Sequence, residues 1–428
     1  MGIIIAFIIF SGIVLFHELG HFWLAKKNKI VVTEFSLGMG PRLWSRQMGE
    51  TRYSLKLFPF GGSCAMLGED EEESSEGSFN SKGVWQRFSV IAAGPFFNFI
   101  MAFVGAFIIV AVSGYDKPIV NSLEENSPAE EAGLKKGDEI VEFQGKKISL
   151  ARDLVLIEQI DGLLEGKTTL TYKREGKKET ISYIPNSVER YMLGFSYGQT
   201  EQEALITGVS LNMPMQKAGL AMGDVILKVN DKEIVSGAEL AKYFQENPLK
   251  DKEVTIEYEH KGRVKTAVVL PEKTTYTTLG FQYGAKRERV GGLGLLKYTY
   301  KEVGYWVKTV YKSLFMLVKG QVSIKNLSGP VGVVTVIDDT YKEAKQAGAA
   351  VTWLSMLNML VLLSANLGVM NLLPFPALDG GRLVFLLIEG ILKKPVNRKV
   401  EAAVHFTGIV LLMTLMVFVV FNDVMKLF

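Results

Sequence analysis

The stretch Phe16-His17-Glu18-Leu19-Gly20-His21-Phe22 lies near the end of an apolar run that extends from Met1 to Ala25. Residues four positions apart lie on the same face of a helix, so His17 and His21 can reach one metal ion while Glu18 stands beside it as a base. Ionisable residues within a membrane-spanning helix are costly and indicate a functional site. This stretch therefore predicts a metal centre inside a membrane span.

Three further apolar runs are long enough to cross a bilayer. No Asp, Glu, Lys or Arg occurs from Val90 to Val112, from Val351 to Leu378 or from Ala402 to Phe421. Each run reaches the ~20 residues that a hydrocarbon core of about 30 Å requires. The first run lacks the basic start and the small-residue cleavage site of a secretory signal. The sequence predicts a multi-pass α-helical membrane protein with four transmembrane helices, at 1–25, 88–113, 347–378 and 400–423.

Basic residues predict how these spans are oriented. One cluster, Lys26 to Lys29, follows the first span, and another, Lys393 to Lys399, precedes the fourth. The positive-inside rule puts both loops in the cytoplasm. We therefore expect a protein of the cell (inner or cytoplasmic) membrane whose two termini and central segment are extracytoplasmic, with the metal centre toward the cytoplasmic side. The single cysteine and the net charge of +3 exclude a disulfide scaffold and a polyelectrolyte.

The central segment contains two copies of a repeat with a period of 86 residues. Alternating segments and one short helix in each copy predict two small α+β domains, at 115–199 and 200–286. The residues that recur are Pro128, Ala132-Gly133-Leu134 and Gly137-Asp138, which return as Pro214, Ala218-Gly219-Leu220 and Gly223-Asp224. These phrases resemble the PDZ domains of bacterial envelope proteases. The resemblance implies that an extended peptide adds a strand to an exposed edge, and the alternative is a spacer that binds no peptide.

A catalytic zinc site generally needs a third protein ligand and one water. Asp379, Glu389 and His405 are the candidates at comparable depth on other apolar segments. Asp379 is favoured because it ends Asn371-Leu372-Leu373-Pro374-Phe375-Pro376-Ala377-Leu378-Asp379-Gly380-Gly381, where prolines break the third span and glycines free the backbone. A broken helix at membrane depth must be buried in protein or line a cavity. We expect this metal-ligand turn, a short helix and a cytoplasmic loop to occupy 379–399.

The segments before the second and third spans carry two weaker signals. In the region 26–87, Thr51 to Phe58 alternates with period two before Pro59 and Gly61. This pattern predicts a membrane-associated β-loop that pairs with an unwound substrate strand, with Ser54 near its edge. In 287–346, apolar residues and lysines recur at helical spacing, which predicts an amphipathic connector at the membrane interface. A plain connector is the alternative.

Several separated motifs together resemble the site-2 protease family of intramembrane zinc metalloproteases, in its bacterial RseP-like branch. They are the His17 to His21 stretch, Gly94-Pro95-Phe96-Phe97-Asn98, the PDZ phrases, Leu327-Ser328-Gly329-Pro330-Val331-Gly332 and Asn371 to Gly381. The resemblance implies that His17, His21 and Asp379 bind Zn²⁺ and that Glu18 is the catalytic base. It also implies that Asn371 and Asn98 lie near the substrate.

The family implies cleavage of single-span membrane proteins in regulated intramembrane proteolysis, with anti-sigma factors or remnant signal peptides as substrates. Two other classes remain open at this point: a catalytically inactive PDZ scaffold, and a zinc-handling membrane protein. The sequence has no phosphate-binding glycine loop or nucleic-acid motif, so neither a nucleotide nor a nucleic acid is an expected partner.

Overall fold

A computed structural model describes residues 1–69, 75–163, 166–198, 202–210, 213–260, 262–284, 286–321 and 327–427. The chain divides into two compact units. The first unit comprises Met1–Lys117 with Lys286–Phe421, and the second comprises Pro118–Ala285 with Asn422–Phe428.

In chain order, the α-helices are α1 (Gly2–Lys27), α2 (Val84–Ser113), α3 (Pro128–Glu131), α4 (Arg152–Leu156), α5 (Pro214–Lys217), α6 (Gly237–Glu246), α7 (Leu293–Val318), α8 (Pro330–Gln346), α9 (Ala349–Leu372), α10 (Asp379–Leu392) and α11 (Arg398–Leu427). A short 3₁₀ helix covers Phe79–Ser81, and a π-helical turn, Ile157–Asp161, extends α4. The strands are β1 (Val32–Met48), β2 (Thr51–Met66), β3 (Tyr115–Asp116), β4 (Val120–Leu123), β5 (Glu139–Phe143), β6 (Lys146–Lys147), β7 (Thr168–Arg174), β8 (Lys177–Tyr183), β9 (Asn186–Met192), β10 (Phe195–Tyr197), β11 (Ile206–Val209), β12 (Val225–Val229), β13 (Lys232–Glu233), β14 (Val254–His260), β15 (Arg263–Val269), β16 (Glu272–Thr278), β17 (Phe281–Tyr283) and β18 (Arg287–Glu288).

Four helices of the described residues are long and apolar enough to cross a membrane: α1, α2, α9 and α11. They correspond to the four predicted spans. Helix α9 ends at Leu372, and Leu373 is already extended. The helix stops there because Pro374 disfavours helical backbone at the residue before it. The predicted break in the third span therefore begins before Pro374.

Small residues let α1, α2 and α9 approach closely. A Cβ atom added at Gly20 of α1 would lie 2.4 Å from the carbonyl oxygen of Ala93, and one added at Gly105 of α2 would lie 2.7 Å from Val361 of α9. Such contacts are typical of membrane helix interfaces, where close backbone approach replaces the hydrophobic driving force. These glycines fix the spacing of α1, which carries His17 and His21, against α2, and of α2 against α9.

Helices α7 and α8 occupy most of the predicted connector, 287–346. On α7, Val303, Trp306 and Val307 pack against an apolar cluster of α2 and α9. On α8, Ile337 is buried beside Ala6 and Ile9 of α1. Within the described residues, the connector therefore contributes two helices to the helical part of the first unit. Residues 322–326 lie outside the described ranges.

Strands β1 and β2 bend at glycines, and their halves make one sheet. Gly38, Gly40 and Gly61 have φ of +85°, +87° and +79°, a backbone region that favours glycine. The halves lie side by side in the order 62–66, 32–37, 51–55 and 44–48. Ser54 pairs with Ser36 on one side and Ser45 on the other. The predicted place of Ser54 near an edge is wrong, because the bends put its segment in the middle of the sheet.

The second unit contains two four-stranded sheets with the same strand arrangement, β6-β5-β7-β8 and β13-β12-β14-β15. Each sheet has its own apolar core. The cores are not contiguous in sequence. Leu279 and Phe281 join the first core, where β17 pairs with β4, and Leu193 joins the second, where β10 pairs with β11. The predicted boundaries, 115–199 and 200–286, therefore misplace these two segments, because each segment folds with the other repeat.

The sheet of the first unit has a charged group at its centre, and this group predicts how the stability of the sheet depends on pH. Arg42 donates to Glu34 through Nε (2.7 Å) and a terminal nitrogen (3.2 Å). Ser54 Oγ also donates to Glu34, at 2.6 Å. Arg42 above all, with help from Ser54 and Lys56, lowers the pKa of Glu34 from 4.5 to about 2.

We expect Glu34→Gln to lower the unfolding temperature of the purified protein at pH 7. A depressed carboxyl pKa contributes stability above the ordinary value, and this contribution is lost as the pH falls through the folded-state value. The difference between parent and variant should therefore shrink between pH 4.5 and about 2. Glu50→Gln is the control, because Glu50 is 69% exposed. A difference for Glu34→Gln that does not change with pH would contradict this assignment.

Candidate metal centre

His17, His21 and Asp379 meet in the first unit, with one ligand atom of each within 4.8 Å of the others. Asp379 Oδ2 lies 3.2 Å from His17 Nε2 and 3.5 Å from His21 Nε2. The two Nε2 atoms are 3.2 Å apart. Both imidazoles are buried, and the carboxylate is largely so. The structure therefore brings the three predicted ligand residues together, although 358 positions separate His21 from Asp379 (379 − 21).

The two imidazoles are fixed by different contacts from α2. His21 Nδ1 lies 2.9 Å from the main-chain oxygen of Val90, which can only accept, so Nδ1 donates and Nε2 presents a lone pair to the centre. His17 Nδ1 lies 3.1 Å from Nδ2 of Asn98. Helix α2 thus supplies the partner of each outer imidazole nitrogen, which sets the orientation of both rings.

Asp379 owes its position to the irregular backbone between α9 and α10. It is the first residue of α10, where carboxylates are favoured by the free N–H groups of the helix. Close packing leaves no room for a side chain at the two positions that follow Asp379. Cβ atoms at Gly380 and Gly381 would lie 2.1 Å and 2.4 Å from the carbonyl oxygens of Leu373 and Phe375. The turn therefore needs both glycines to fold back on itself.

Helix α11 also contacts this turn. Ala377 has φ of +78°, which is costly for a residue with a side chain. Its backbone N–H donates to His405 Nδ1 at 3.0 Å. A Cβ atom at Gly408 would lie 2.5 Å from the carbonyl oxygen of Pro376. His405, which the sequence left open as a ligand, therefore contacts the turn rather than the ligand cluster.

The other residues singled out from the sequence lie at different places. Glu389, the remaining alternative ligand, forms a 2.6 Å ion pair with Arg87. Asn98 contacts His17 and is fully buried. Asn371 is half-buried in the last turn of α9, and Ser54 is hydrogen-bonded to Glu34 within the sheet. Of the three residues predicted near the substrate, Asn98 is the one that touches the ligand cluster.

Glu18 lies on α1 between the two histidines and is half-buried. The outer segment of the sheet, 62–66, passes beside it: a Cβ atom at Gly62 would lie 3.1 Å from Glu18 Cγ. Gly62 thus brings backbone within contact distance of the predicted catalytic base.

Gly94 is a site residue to which the sequence analysis gave no role. A Cβ atom there would lie 2.3 Å from His21 Nε2 and 2.7 Å from His17 Cε1. The only signal in the sequence is a glycine before Pro95 in an apolar span. Its neighbours on another helix, which the sequence alone does not identify, explain why this position needs glycine.

The residues of the cluster fit a zinc ion. Tetrahedral zinc with bonds of about 2.0–2.1 Å has ligand atoms roughly 3.3 Å apart, and the three separations here are 3.2, 3.2 and 3.5 Å. Asp379 Oδ2 is buried and, among the described residues, accepts no well-formed hydrogen bond. Two imidazole nitrogens and one carboxylate oxygen are also the donor set of a known class of catalytic zinc sites.

A cluster of two histidines and an aspartate that could hold a metal ion, with both histidines on a helix apolar and long enough to cross a membrane, is typical of a membrane-embedded zinc metallopeptidase. The chain belongs to peptidase family M50, the site-2 proteases, because the model of that family matches residues 5–415. It is accordingly a zinc metalloprotease of the site-2 type.

Several named bacterial proteases are similar in sequence to this protein over almost its whole length. The zinc metalloprotease RasP of Bacillus licheniformis is 31% identical, with 100% of each chain covered. The regulator of sigma-W protease RasP of Bacillus subtilis is 32% identical, with 99% of each chain covered. The regulator of sigma-E protease RseP of Escherichia coli is 31% identical over 99% of this chain and 98% of its own. The predicted enzyme class and the Zn²⁺ cofactor are thereby confirmed.

Gly94→Ala should weaken zinc binding at least about tenfold, the scale on which residues around metal ligands act. The added methyl group would press on both imidazoles, at 2.3 and 2.7 Å. Competition with a fluorescent chelator measures the affinity. Gly12→Ala is the matched control, because a Cβ atom there meets nothing within 4 Å. Parental affinity in Gly94→Ala would show that the methyl group is accommodated.

His405→Phe should lower the unfolding temperature and the zinc affinity together. It keeps a ring but leaves the Ala377 N–H without its acceptor, at a cost of about 1–3 kcal/mol if the group stays buried. Adding Ala377→Gly should restore part of the affinity, because glycine adopts positive φ without strain. Phe406→Leu is the control, since Phe406 is exposed. Zinc affinity that His405→Phe leaves unchanged would contradict a role for His405 in holding the turn.

Proposed function

We propose that the protein is an endopeptidase that cuts the transmembrane segments of single-span proteins, with His17, His21 and Asp379 as zinc ligands and Glu18 as the base. The observation that carries the assignment is the convergence of these ligand atoms at separations of 3.2–3.5 Å. Membership of family M50 supports the peptidase reaction.

The proposed mechanism divides the chemistry between the metal and Glu18. Zinc bound by the trio would lower the pKa of a water molecule toward ~7 and polarise the scissile carbonyl. Glu18 takes a proton from the attacking water and later gives it to the leaving amine. Asp379 and the two imidazoles would hold the zinc ion, and contacts from α2 fix the orientations of the imidazole rings.

The substrate must be extended when it reaches Glu18, because a helix hides its peptide bonds in backbone hydrogen bonds. We propose that it pairs with the outer sheet segment, 62–66, rather than near Ser54. Among the described residues, this segment pairs on one side only, with 32–37. The closeness of Gly62 to Glu18 supports this location. Asn371, in the last turn of α9, would contact the substrate from the side of the Asp379 turn.

The remaining parts of the proposal concern topology and partners. We propose that the protein lies in the cell (inner or cytoplasmic) membrane with both termini outside, as the basic clusters beside α1 and α11 favour. The two repeats would be extracytoplasmic PDZ domains that exclude bulky outer domains and bind extended peptides. Two relatives are named regulators of sigma factors, which favours an anti-sigma factor as substrate over a remnant signal peptide.

The test is cleavage of a single-span substrate with a short outer segment by the purified protein. Glu18→Gln should retain zinc and lose ~10²–10⁴-fold in turnover, the usual contribution of a general base. A chelator should abolish cleavage by the parent. Glu50→Gln is the matched control, because Glu50 is an exposed carboxylate of the same unit.

The other outcomes separate the alternatives. Undiminished cleavage by Glu18→Gln would remove Glu18 from the mechanism. If the parent and Glu18→Gln both bind peptide and the parent shows no proteolysis, the catalytically inactive PDZ scaffold would be favoured. Zinc flux into liposomes by the parent, again without proteolysis, would favour a zinc-handling protein.

A further inference from the structure

Asn98 occupies a closed position between the metal cluster and α9. Its side chain is 0% exposed, and its main-chain oxygen accepts from Ser364 Oγ at 2.9 Å. Its Nδ2 lies 3.1 Å from His17 Nδ1, while its Oδ1 is buried without a hydrogen-bond partner among the described residues. A substrate has no access to a side chain in this position, so the substrate contact predicted for Asn98 has little support here.

The side-chain amide of Asn98 is the group beside His17 Nδ1, so the end of the amide that faces the ring decides which imidazole nitrogen carries the proton. When Nδ2 faces the ring, as in this structure, the amide can only donate, so His17 Nδ1 accepts. The proton of a neutral imidazole then lies on Nε2, which faces His21 Nε2 and Asp379 Oδ2, each 3.2 Å away. In this arrangement, His17 presents a proton to the centre where a metal ligand must present a lone pair.

His21 does not share this conflict. Its Nδ1 donates to the Val90 oxygen, so in the neutral ring Nε2 presents its lone pair to the centre. Imidazoles that bind metals usually donate their second N–H in the same way, to a carbonyl or a carboxylate. His17 can reach this state only if its neighbour on α2 becomes an acceptor.

We propose that Asn98 is a positioning residue that sets the tautomer of His17. When its amide turns by half a rotation, Oδ1 takes the place of Nδ2 and accepts the proton on His17 Nδ1, which leaves Nε2 free to bind the metal. An amide has a donor and an acceptor at one end, so the same residue satisfies His17 in both states. The unpartnered Oδ1 is the acceptor that this exchange uses. The inference rests on the proposed function, because it takes His17 as a ligand.

The experiment measures the zinc affinity of the full-length, detergent-solubilised protein by chelator competition. Asn98→Leu has a similar volume and neither donor nor acceptor, so it should weaken zinc binding about 10–100-fold. Asn98→Asp can only accept and therefore favours the metal-binding tautomer. It should bind zinc within about threefold of the parent or more tightly, since a carboxylate partner raises the basicity of the imidazole.

Ser364→Ala is the matched control. It removes a buried hydroxyl that touches the main chain of Asn98 but not His17, so zinc affinity should stay within about twofold, well below the change that loss of an imidazole partner causes. The metal-free unfolding temperature of each variant shows whether it is folded. Asn98→Leu is decisive on its own if Asn98→Asp does not fold.

Two results would overturn the inference. One is parental zinc affinity in Asn98→Leu with a raised KM, which would return Asn98 to substrate binding. The other is an equal loss of affinity in Asn98→Asp and Asn98→Leu. If His17→Ala leaves zinc binding intact, it is the proposed metal centre that fails, and the inference about Asn98 fails with it.

Discussion

The structure depends on one constraint: three polar side chains from two distant segments must converge within the helical part of the first unit. His17 and His21 come from α1, and Asp379 comes from the start of α10. Buried polar groups of this kind are unfavourable in an apolar surrounding unless they bind one another or a metal. The packing of the first unit can be understood as the means of bringing them together. Glycines set the helix spacing, α2 orients the imidazoles, and the turn after α9 delivers the carboxylate.

The centre also explains why the first unit contains segments that do not themselves supply ligands. Helix α11 contacts the turn through His405 and Gly408. Helix α2 carries the Val90 oxygen, Gly94 and Asn98 on one face. The bent sheet brings its outer segment to Glu18. Each of these elements contacts a residue of the proposed site, or the backbone next to one, and so the proposed mechanism depends on more of the chain than the three proposed ligands.

Much of this site could be predicted from the sequence, because helical spacing puts His17 beside His21 and the proline and glycine pattern marks the turn at Asp379. The prolines and glycines beside Asp379 favoured it as the third ligand over Glu389 and His405. In the structure, Glu389 pairs with Arg87 and His405 accepts from the Ala377 N–H. The closeness of Gly94 and of Asn98 to His17 was not predictable, since both arise from packing between helices that a single sequence does not reveal. The place of Ser54 was mispredicted because alternation identifies a strand but not its neighbours. The pairing of β10 and β17 with strands of the other repeat was not predicted for the same reason. Periodicity shows that the two copies have similar sequences, but it does not show which strands pair.

The central claim is that the three side chains bind one zinc ion, and zinc K-edge X-ray absorption of the purified protein tests it most directly. The account predicts one zinc per chain with two imidazole nitrogens at about 2.0–2.1 Å and oxygen ligands at similar distances. Asp379→Asn should change this spectrum or remove the metal. A sulfur ligand at about 2.3 Å, or a spectrum that Asp379→Asn leaves unchanged, would contradict it.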